Sequence, residues 1–515
     1  MASYVFKRLI RSLFSLIAVI FIIMLLVFQL MNRDQIFKGD AGIAKHTQIN
    51  DRTQYKYERF EQYGYLDLVL YSDFVQDYAA KNGINPEDAK DLPEDPIDDD
   101  STVVTKLFKE TYKKKGYKIL RAAKSTEKDI NLCLAYKDRN VFLRLWDFFS
   151  HIFDIDHVNY VKVSDDYKAQ FGNIKREIYF AKDPINGLPC IMGSGTKHKY
   201  LFYFDNVFPF VHQNFITLNL GFRYSNGEDF FSYFTSSQGE MQKRETKMPD
   251  GSVVYNGYNY HERVFNTNTT VEEYSTFKDG YSKVPSSAIY TNGLSMIGYS
   301  FIIGIISTIL VYIIGVPLGL ILALKKDKIA DKIGNLYIIF IMAVPSLAYI
   351  YIFAFLGGKI FGLPTNWPTG TMPLVFILPI ISLALPSIAS LMKWTRRYMI
   401  DQMTADYVKF ARSQGFSEPE IFRKHILKNA LIPIVQGIPG SILGALTGAI
   451  ITERVYNVPG MGKLLTDAID ANDNGVIIGI SFFYALLSIV SLILGDILMA
   501  KIDPRISFSS GGDRK

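Results

Sequence analysis

Six runs in this chain are too long and too apolar for a water-soluble core. A helix needs about 20 apolar residues to cross a hydrocarbon layer roughly 30 Å thick, and residues 13–31, 296–324, 336–356, 372–391, 432–451 and 476–500 meet that length. In lipid, backbone amides must be satisfied within their own segment, so such runs become helices. The expectation is a polytopic α-helical membrane protein with six transmembrane helices. The fourth run carries Pro373, Pro379 and Pro386, kinks that are tolerated where neighbouring helices satisfy the freed carbonyls. The first run is read as a retained span and not a cleaved signal. It is longer than a signal core and ends in Gln29-Leu-Met-Asn-Arg33, without small residues at a cleavage site.

The 515 residues are 49% hydrophobic, but the apolar runs sit at the two ends of the chain. The division is residues 1–32 as amino terminus and first span, 33–295 as an inserted domain, and 296–515 as the membrane core. Lys and Arg near span ends set orientation. Lys7, Arg8 and Arg11 precede the first span, Lys325, Lys326, Lys328 and Lys332 follow the second, and Lys393, Arg396 and Arg397 follow the fourth. The opposite short loops hold only Lys359, Arg454 and Lys463. Both termini are therefore expected in the cytoplasm of a cell-membrane protein, with residues 33–295 extracellular. The net charge of +6 then belongs to the membrane surface and calls for no nucleic acid.

Between the fourth and fifth runs lies a polar segment, residues 406–433. Its first half has no helix breaker and spaces Tyr407, Phe410 and Ala411 as one apolar face. Gly415 stops it, since glycine closes a helix in the left-handed conformation without strain. A second helix restarts with Ser417 as its cap, Glu420 placed to reach back to the Ser417 amide, and Pro419 in the first turn. It carries Arg423, Lys424, His425 and Lys428. The pattern reads as a docking device, with a solvated helical hairpin as the alternative.

The inserted domain reads as α+β. Residues 85–90 look like a capped helix start, and Tyr200-Leu-Phe-Tyr-Phe204 suits a strand. The acidic run 91–100 lacks the glycine and terminal Glu of a calcium loop and reads as a solvated linker. Cys133 and Cys190, the only cysteines, leave one disulfide open and make no metal site. Asn268-Thr-Thr270 matches a glycosylation acceptor.

Catalytic signatures are missing. Gly460-Met-Gly-Lys463 lacks the earlier glycine and following Ser or Thr of a phosphate loop, having Asn457 and Leu464 there. Gly193-Ser-Gly-Thr-Lys197 lacks a hydrolase elbow. The expectation is a transporter that is no enzyme and holds no cofactor. Ion-coupled carriers place charge at mid-bilayer. Here Asp496 lies a turn from the inner end of the last span, within reach of water or Lys501, and Glu453 at an outer end, so energy is expected from a partner. In the fifth run Gly437, Gly440, Gly444 and Gly448 share a face beside Pro439, where small residues admit a close helix. Packing within the chain and lining a path shared with another subunit both remain open.

Lys409-Phe-Ala-x-x-x-Gly415, continuing to Leu431-Ile-Pro433, resembles the EAA loop of ABC importer permeases, with Lys409 and Phe410 in place of Glu-Ala. Val458-Pro-Gly-Met-Gly462, Gly495-Asp496, Asp503-Pro-Arg-Ile506 and the stretch from Tyr4 to Arg11 resemble OppB-type permeases. Gly193-Ser-Gly-Thr-Lys-His-Lys-Tyr200 and Phe208-Pro-Phe-Val-His-Gln-Asn-Phe215 are similar to the AmiC-type subunits of Gram-positive oligopeptide importers, whose inserted domain is enlarged.

The resemblance implies a type I ABC importer permease fold with a coupling loop over residues 393–431. On it Lys409, Ala411, Gly415, Ser417, Glu418, Glu420, Arg423 and His425 would engage the ATPase. It implies as partners a sister permease, two ATP-binding subunits, an extracellular peptide-binding lipoprotein, the peptide and membrane lipid. A membrane-anchored receptor or structural subunit without transport is the alternative function.

Overall fold

A computed structural model of the chain describes residues 2–30, 33–40, 42–83, 85, 103–155, 178–182, 187–193, 198–204, 210–213, 216–224, 230–235, 241–242, 244–247, 253–256, 264–265, 289–290, 294–367 and 373–502. The sequence features at residues 86–100, 268–270 and 503–506, and parts of those at 193–200 and 208–215, lie outside these.

The membrane part begins with α1 (Ala2–Leu30) and resumes at α7 (Met296–Leu324), both 29 residues of near-continuous apolar sequence. Ser295 starts α7 by accepting the Gly298 amide on its hydroxyl at 3.1 Å. Two more long helices follow, α10 (Ile377–Met403) and α16 (Asn474–Ile502). With α1 and α7 they make four helices long and apolar enough to span a bilayer.

The remaining two apolar runs are bent pairs. The expected span over 336–356 divides into α8 (Ile329–Ala343) and α9 (Ser346–Phe361), set at 105°. The cause is local. Val344 precedes Pro345, whose ring disfavours the helical region for the residue before it, and Val344 takes the extended ψ of 131°. The run over 432–451 belongs to a continuous helix from Glu418 to Gln436 followed by α14 (Ile438–Val455), bent by 42°.

Close helix contacts are made at glycine. A Cβ on Gly319 of α7 would lie 2.6 Å from Thr395 of α10, and one on Gly304 3.0 Å from Leu446 of α14. Gly357 of α9 gives the same passage to Leu378 of α10. At the end of the bundle remote from the insert, Asp331 of α8 is buried and receives the Arg396 guanidinium in two bonds of 2.6 and 2.7 Å. Arg8 of α1 pairs with Asp496 of α16. Asp496 was expected to reach water or Lys501; the packing of the first helix on the last brings it Arg8 instead.

Within the insert, α2 (Ile49–Gln62), α3 (Tyr71–Asn82) and α4 (Val103–Lys114) pack around a three-stranded antiparallel sheet. Its strands are β1 (Leu66–Leu70), β2 (Lys118–Ala122) and β3 (Leu132–Asp138), with β3 central; Leu66 lies opposite Asp138 and Ala122 opposite Leu132. Asp129 ties the loop between β2 and β3 to the start of α2. Burial pushes its carboxyl up, but the Ser125 hydroxyl and the amides of Asn50, Asp51 and Ile130 outweigh this and hold it at about 2. A helix α5 (Val141–Ser150) follows. Then come the strands β4 (Phe153–Ile155), β5 (Ile178–Lys182), β6 (Pro189–Gly193), β7 (His198–Phe204), β8 (Val211–Gln213) and β9 (Ile216–Leu218). β5, β6, β7 and β8 are consecutive neighbours, Val264–Phe265 joins the other edge of β7, and β4 pairs with β9. Cys133 and Cys190 are buried in two different sheets, on β3 and β6, and are not joined to each other in this structure.

The insert is seated on the membrane helices. Phe230 and Phe234 of α6 (Phe230–Thr235) are fully buried, with Phe230 against Gly479 of α16. Gly475 lets the Phe222 carbonyl approach the same helix. Asp473 accepts the Tyr224 amide at 2.9 Å, and Asn474 donates to the Tyr65 hydroxyl at 2.6 Å.

Candidate functional site

The polar segment after α10 folds as α11 (Asp406–Ser413) and, after a turn, α12 (Glu418–Ile421). α12 runs on through a π-helical turn (Phe422–Leu427) into α13 (Lys428–Gln436). Gly415 makes the turn at φ +80°, and the Phe416 amide closes it on the Ala411 carbonyl at 3.3 Å. Ser417 is extended and its carbonyl accepts the amides of Glu420 and Ile421 at 3.0 Å. The capping box does not form. The Ser417 hydroxyl makes no cap bond, and Glu420 takes Lys424 one turn on at 2.6 Å instead of the Ser417 amide. Arg412 joins the two helices by gripping Glu418 at 2.7 and 3.2 Å.

The buried face also differs from the expected one. Val408 and Ala411 point inward, whereas Tyr407 is 37% and Phe410 65% exposed. Ile421, Ile426 and Ala430 complete the seam with Ala323 of α7 and Met399 of α10. The π turn makes this possible, because its wider winding puts residues five apart on one side. Three fully buried branched side chains stabilise the seam by about 1.5–3 kcal/mol each, against about 0.2–1 kcal/mol for an exposed ion pair. Apolar packing, not charge, fixes the segment to α7 and α10. Its outer face presents Lys409, Phe410, Phe416, Arg423 and Lys424, with His425 edge-on to Phe416 at 6.1 Å.

A second feature lies on α14 and the turn before it. Gly437, Gly440, Gly444 and Gly448 are exposed while Pro439 is buried. A Cβ on Gly440 or Gly444 would meet nothing within 4 Å, one on Gly448 only Leu383 at 3.4 Å, and one on Gly437 the carbonyls of Ile434 and Pro433 and the Tyr312 hydroxyl at 3.4–3.8 Å. Among the described residues no helix closes on the stripe at Gly440 and Gly444.

The far end of α14 holds a site that no sequence motif announces. Glu453 is fully buried and accepts the Ser300 hydroxyl at 2.6 Å and the amides of Gly462 and Lys463 at 2.7 and 3.1 Å. Those amides open α15 (Met461–Ala471), and a Cβ on Gly460 would collide with the carboxylate. The helix start that resembled a phosphate loop is thus filled by the chain's own carboxylate. The visible signal is a glutamate seven residues before a Gly-x-Gly pair at the end of an apolar run. Among the described residues, no three His, Cys, Asp or Glu side chains gather as a metal site.

Residues 315–508 match the family described as binding-protein-dependent transport system inner membrane component. The chain is 34% identical, over all of both sequences, to the oligopeptide transport system permease protein AmiC of Streptococcus pneumoniae. It is 32% identical, over 46% of its length and 77% of the relative's, to the dipeptide transport system permease protein DppB of Bacillus subtilis. A solved structure of the MetNI methionine ABC transporter, inward facing, aligns with 40% of this chain and 93% of its own at 14% identity and a TM-score of 0.32.

Proposed function

The chain belongs to the OppB/AmiC-type family of peptide permeases, and from that premise we propose how it works as the non-enzymatic permease subunit of a peptide ABC importer. It forms the path with a sister permease, and two ATP-binding subunits drive the pair. Both termini and the segment from Asp406 to Gln436 face the cytoplasm, and the insert faces outside, where a peptide-binding lipoprotein docks. The imported class is oligopeptides.

The observation that carries this reading is the two-helix segment with its buried seam. It presents Phe410, Phe416 and a basic face outward while its inner side is packed on the ends of α7 and α10. A short helix so anchored acts as a lever. Motion delivered to its outer face passes to α7 and α10 by packing, and along the unbroken helix from Glu418 to the 42° bend before α14. There the open glycine stripe lies on the side that a sister helix and a passing peptide would share. Lys409, Arg423 and His425 serve the ATPase contact. Gly415, Ser417, Glu418 and Glu420 shape the turn and helix that present them.

Reconstitution in vesicles tests the reading. Peptide uptake is expected only with the sister permease, both ATPases and ATP present, and Phe410→Ala with Arg423→Ala is expected to reduce ATPase association while leaving the permease pair intact. Uptake by this chain alone, or ATPase association untouched by the double substitution, overturns it.

A further inference from the structure

Helix α5 belongs to the insert, yet it packs against the apolar span of α1. Its Leu145 and the following Ile152 share one buried cluster with Leu16, Ile20 and Met24 of α1, and the Phe142 ring lies 6.1 Å from that of Phe21. Phe21 is seven residues inside the end of the apolar span Phe6–Phe28, about 10 Å at 1.5 Å per residue. Interfacial helices bury their apolar face about 5–10 Å into the headgroup boundary. Much of the apolar surface of α5 nevertheless stays open: Phe142, beside Phe21, is 66% exposed, and Leu143 and Trp146 are 58% and 72% exposed. Three large apolar side chains left open at that depth, one a tryptophan, fit the lipid interface.

Behind α5 is a cleft of about 280 Å³ between α1, α16 and the insert. Its wall is apolar at Met24, Phe28, Leu220 and Ile478 and charged at Arg144 and Asp147 of α5 and at Arg139. Arg144 is 8% exposed, lies against the rings of Phe28 and Tyr65 at 4.2 and 4.0 Å, and donates to the Gly64 carbonyl at 2.7 Å. One terminal nitrogen of its guanidinium is buried without a partner. The neighbouring Arg139 takes up the nearby acids, Asp67 at 2.5 Å and Asp147 at 3.0 Å. Burial lowers the Arg144 guanidinium to about 10, so the side chain stays cationic at neutral pH. A buried cation with an orphaned donor is costly unless an anion completes it.

We propose that α5 lies in the membrane interface and that the cleft behind it holds an anionic phospholipid, with the phosphate on Arg144 and an acyl chain along α1. The apolar wall continuous with a membrane helix favours a lipid over a peptide carboxylate, which would arrive without an acyl chain.

The chain has three tryptophans, so replacing Trp367 and Trp394 by Phe leaves Trp146 as the sole tryptophan emitter when this chain is reconstituted in vesicles without its partner subunits. Acyl-brominated lipid is expected to quench Trp146 several-fold more strongly than aqueous iodide does. Brominated phosphatidylglycerol as a minor component is expected to quench more than the same fraction of brominated phosphatidylcholine. Arg144→Gln should erase that preference while bromolipid quenching persists, and Arg144→Lys should keep part of it, which separates lost charge from lost fold. Quenching by iodide and not by bromolipid overturns the placement of α5. Equal quenching by the two lipids, or loss of the preference on adding inorganic phosphate or peptide, overturns the lipid assignment.

Discussion

Gly440 in the first turn of α14 and Gly444 one turn further in have nothing within 4 Å of the place a Cβ would take. In a helix interior, alanine is more favourable than glycine by about 0.5–1 kcal/mol, because glycine loses more backbone freedom on folding. No contact has to be displaced here, so Gly440→Ala with Gly444→Ala should stabilise the isolated chain by about 1–2 kcal/mol if the two add. Thermal unfolding of the subunit purified alone in detergent reads this as a rise of a few degrees. The same stripe in the assembled transporter is expected to meet a partner helix or the peptide. Gly444→Leu should then leave the isolated chain folded but cut uptake by tenfold or more, the effect of about 1.4 kcal/mol. A control on the tight side is Gly462→Ala, whose Cβ would strike the Ile450 backbone and should lower the melting temperature. If the double alanine chain melts earlier than the parent, the stripe packs within this chain. If Gly444→Leu assembles and transports at the parental rate, nothing approaches the stripe. Either result refutes the reasoning.

Gly415→Ala should weaken co-purification of the ATPase subunits, because an L-residue at φ +80° costs about 1–2 kcal/mol with no steric neighbour to blame, and Gly415→Asn should lose less; alanine binding as well as glycine would count against the turn. Glu453→Ala should strand the Ser300 hydroxyl and two amides, at about 1–3 kcal/mol per unsatisfied group, and lower the melting temperature sharply, with Glu453→Gln recovering part through its remaining carbonyl oxygen; an unchanged melt for the alanine variant would remove Glu453 from the account. The Asp129 carboxyl is held at about 2 in the folded chain, below its unfolded range near 4, so its stabilisation is complete above about pH 4 and lost as pH falls toward 2. Limited proteolysis of the insert across that window should show the junction of α2 with the loop between β2 and β3 opening, and Asp129→Asn should already be open at neutral pH; a parent chain whose cleavage there does not change with pH would contradict it.

That the chain holds several helices apolar enough to cross lipid is legible because apolarity is a one-dimensional property, readable without partners. Backbone geometry inside those runs is not carried by hydropathy. The bend at Val344-Pro345 is written in the dipeptide, since proline acts on the residue before it, but a run of apolar side chains gives no sign of it. Gly415 is readable for the same local reason that makes glycine tolerate positive φ. The helix after it departs from the expected cap where side chains had a choice: Glu420 found Lys424 one turn ahead, and Arg412 reached across to Glu418. The inward face does not follow ordinary helical spacing, because Ile421 and Ile426 are five apart in a π turn. Glu453 gives little away, its hydroxyl partner Ser300 being 153 positions distant. The family resemblance supplied what local physics could not, the identity of the missing motor.

The pairing of Arg8 with Asp496 has a consequence in time as well as in space. Their separation is 496 − 8 = 488 positions, nearly the whole chain. At about 5–20 residues per second of synthesis, the first membrane helix is made roughly 25–100 s before the helix it packs against. Through that interval α1 is without the last helix, and the insert is made before the last helix exists to seat Phe230 and Asn474's partner Tyr65. Assembly of this permease is therefore a late event, completed by its final span, and a truncation that removes α16 should leave the amino-terminal helix and the insert made but unjoined.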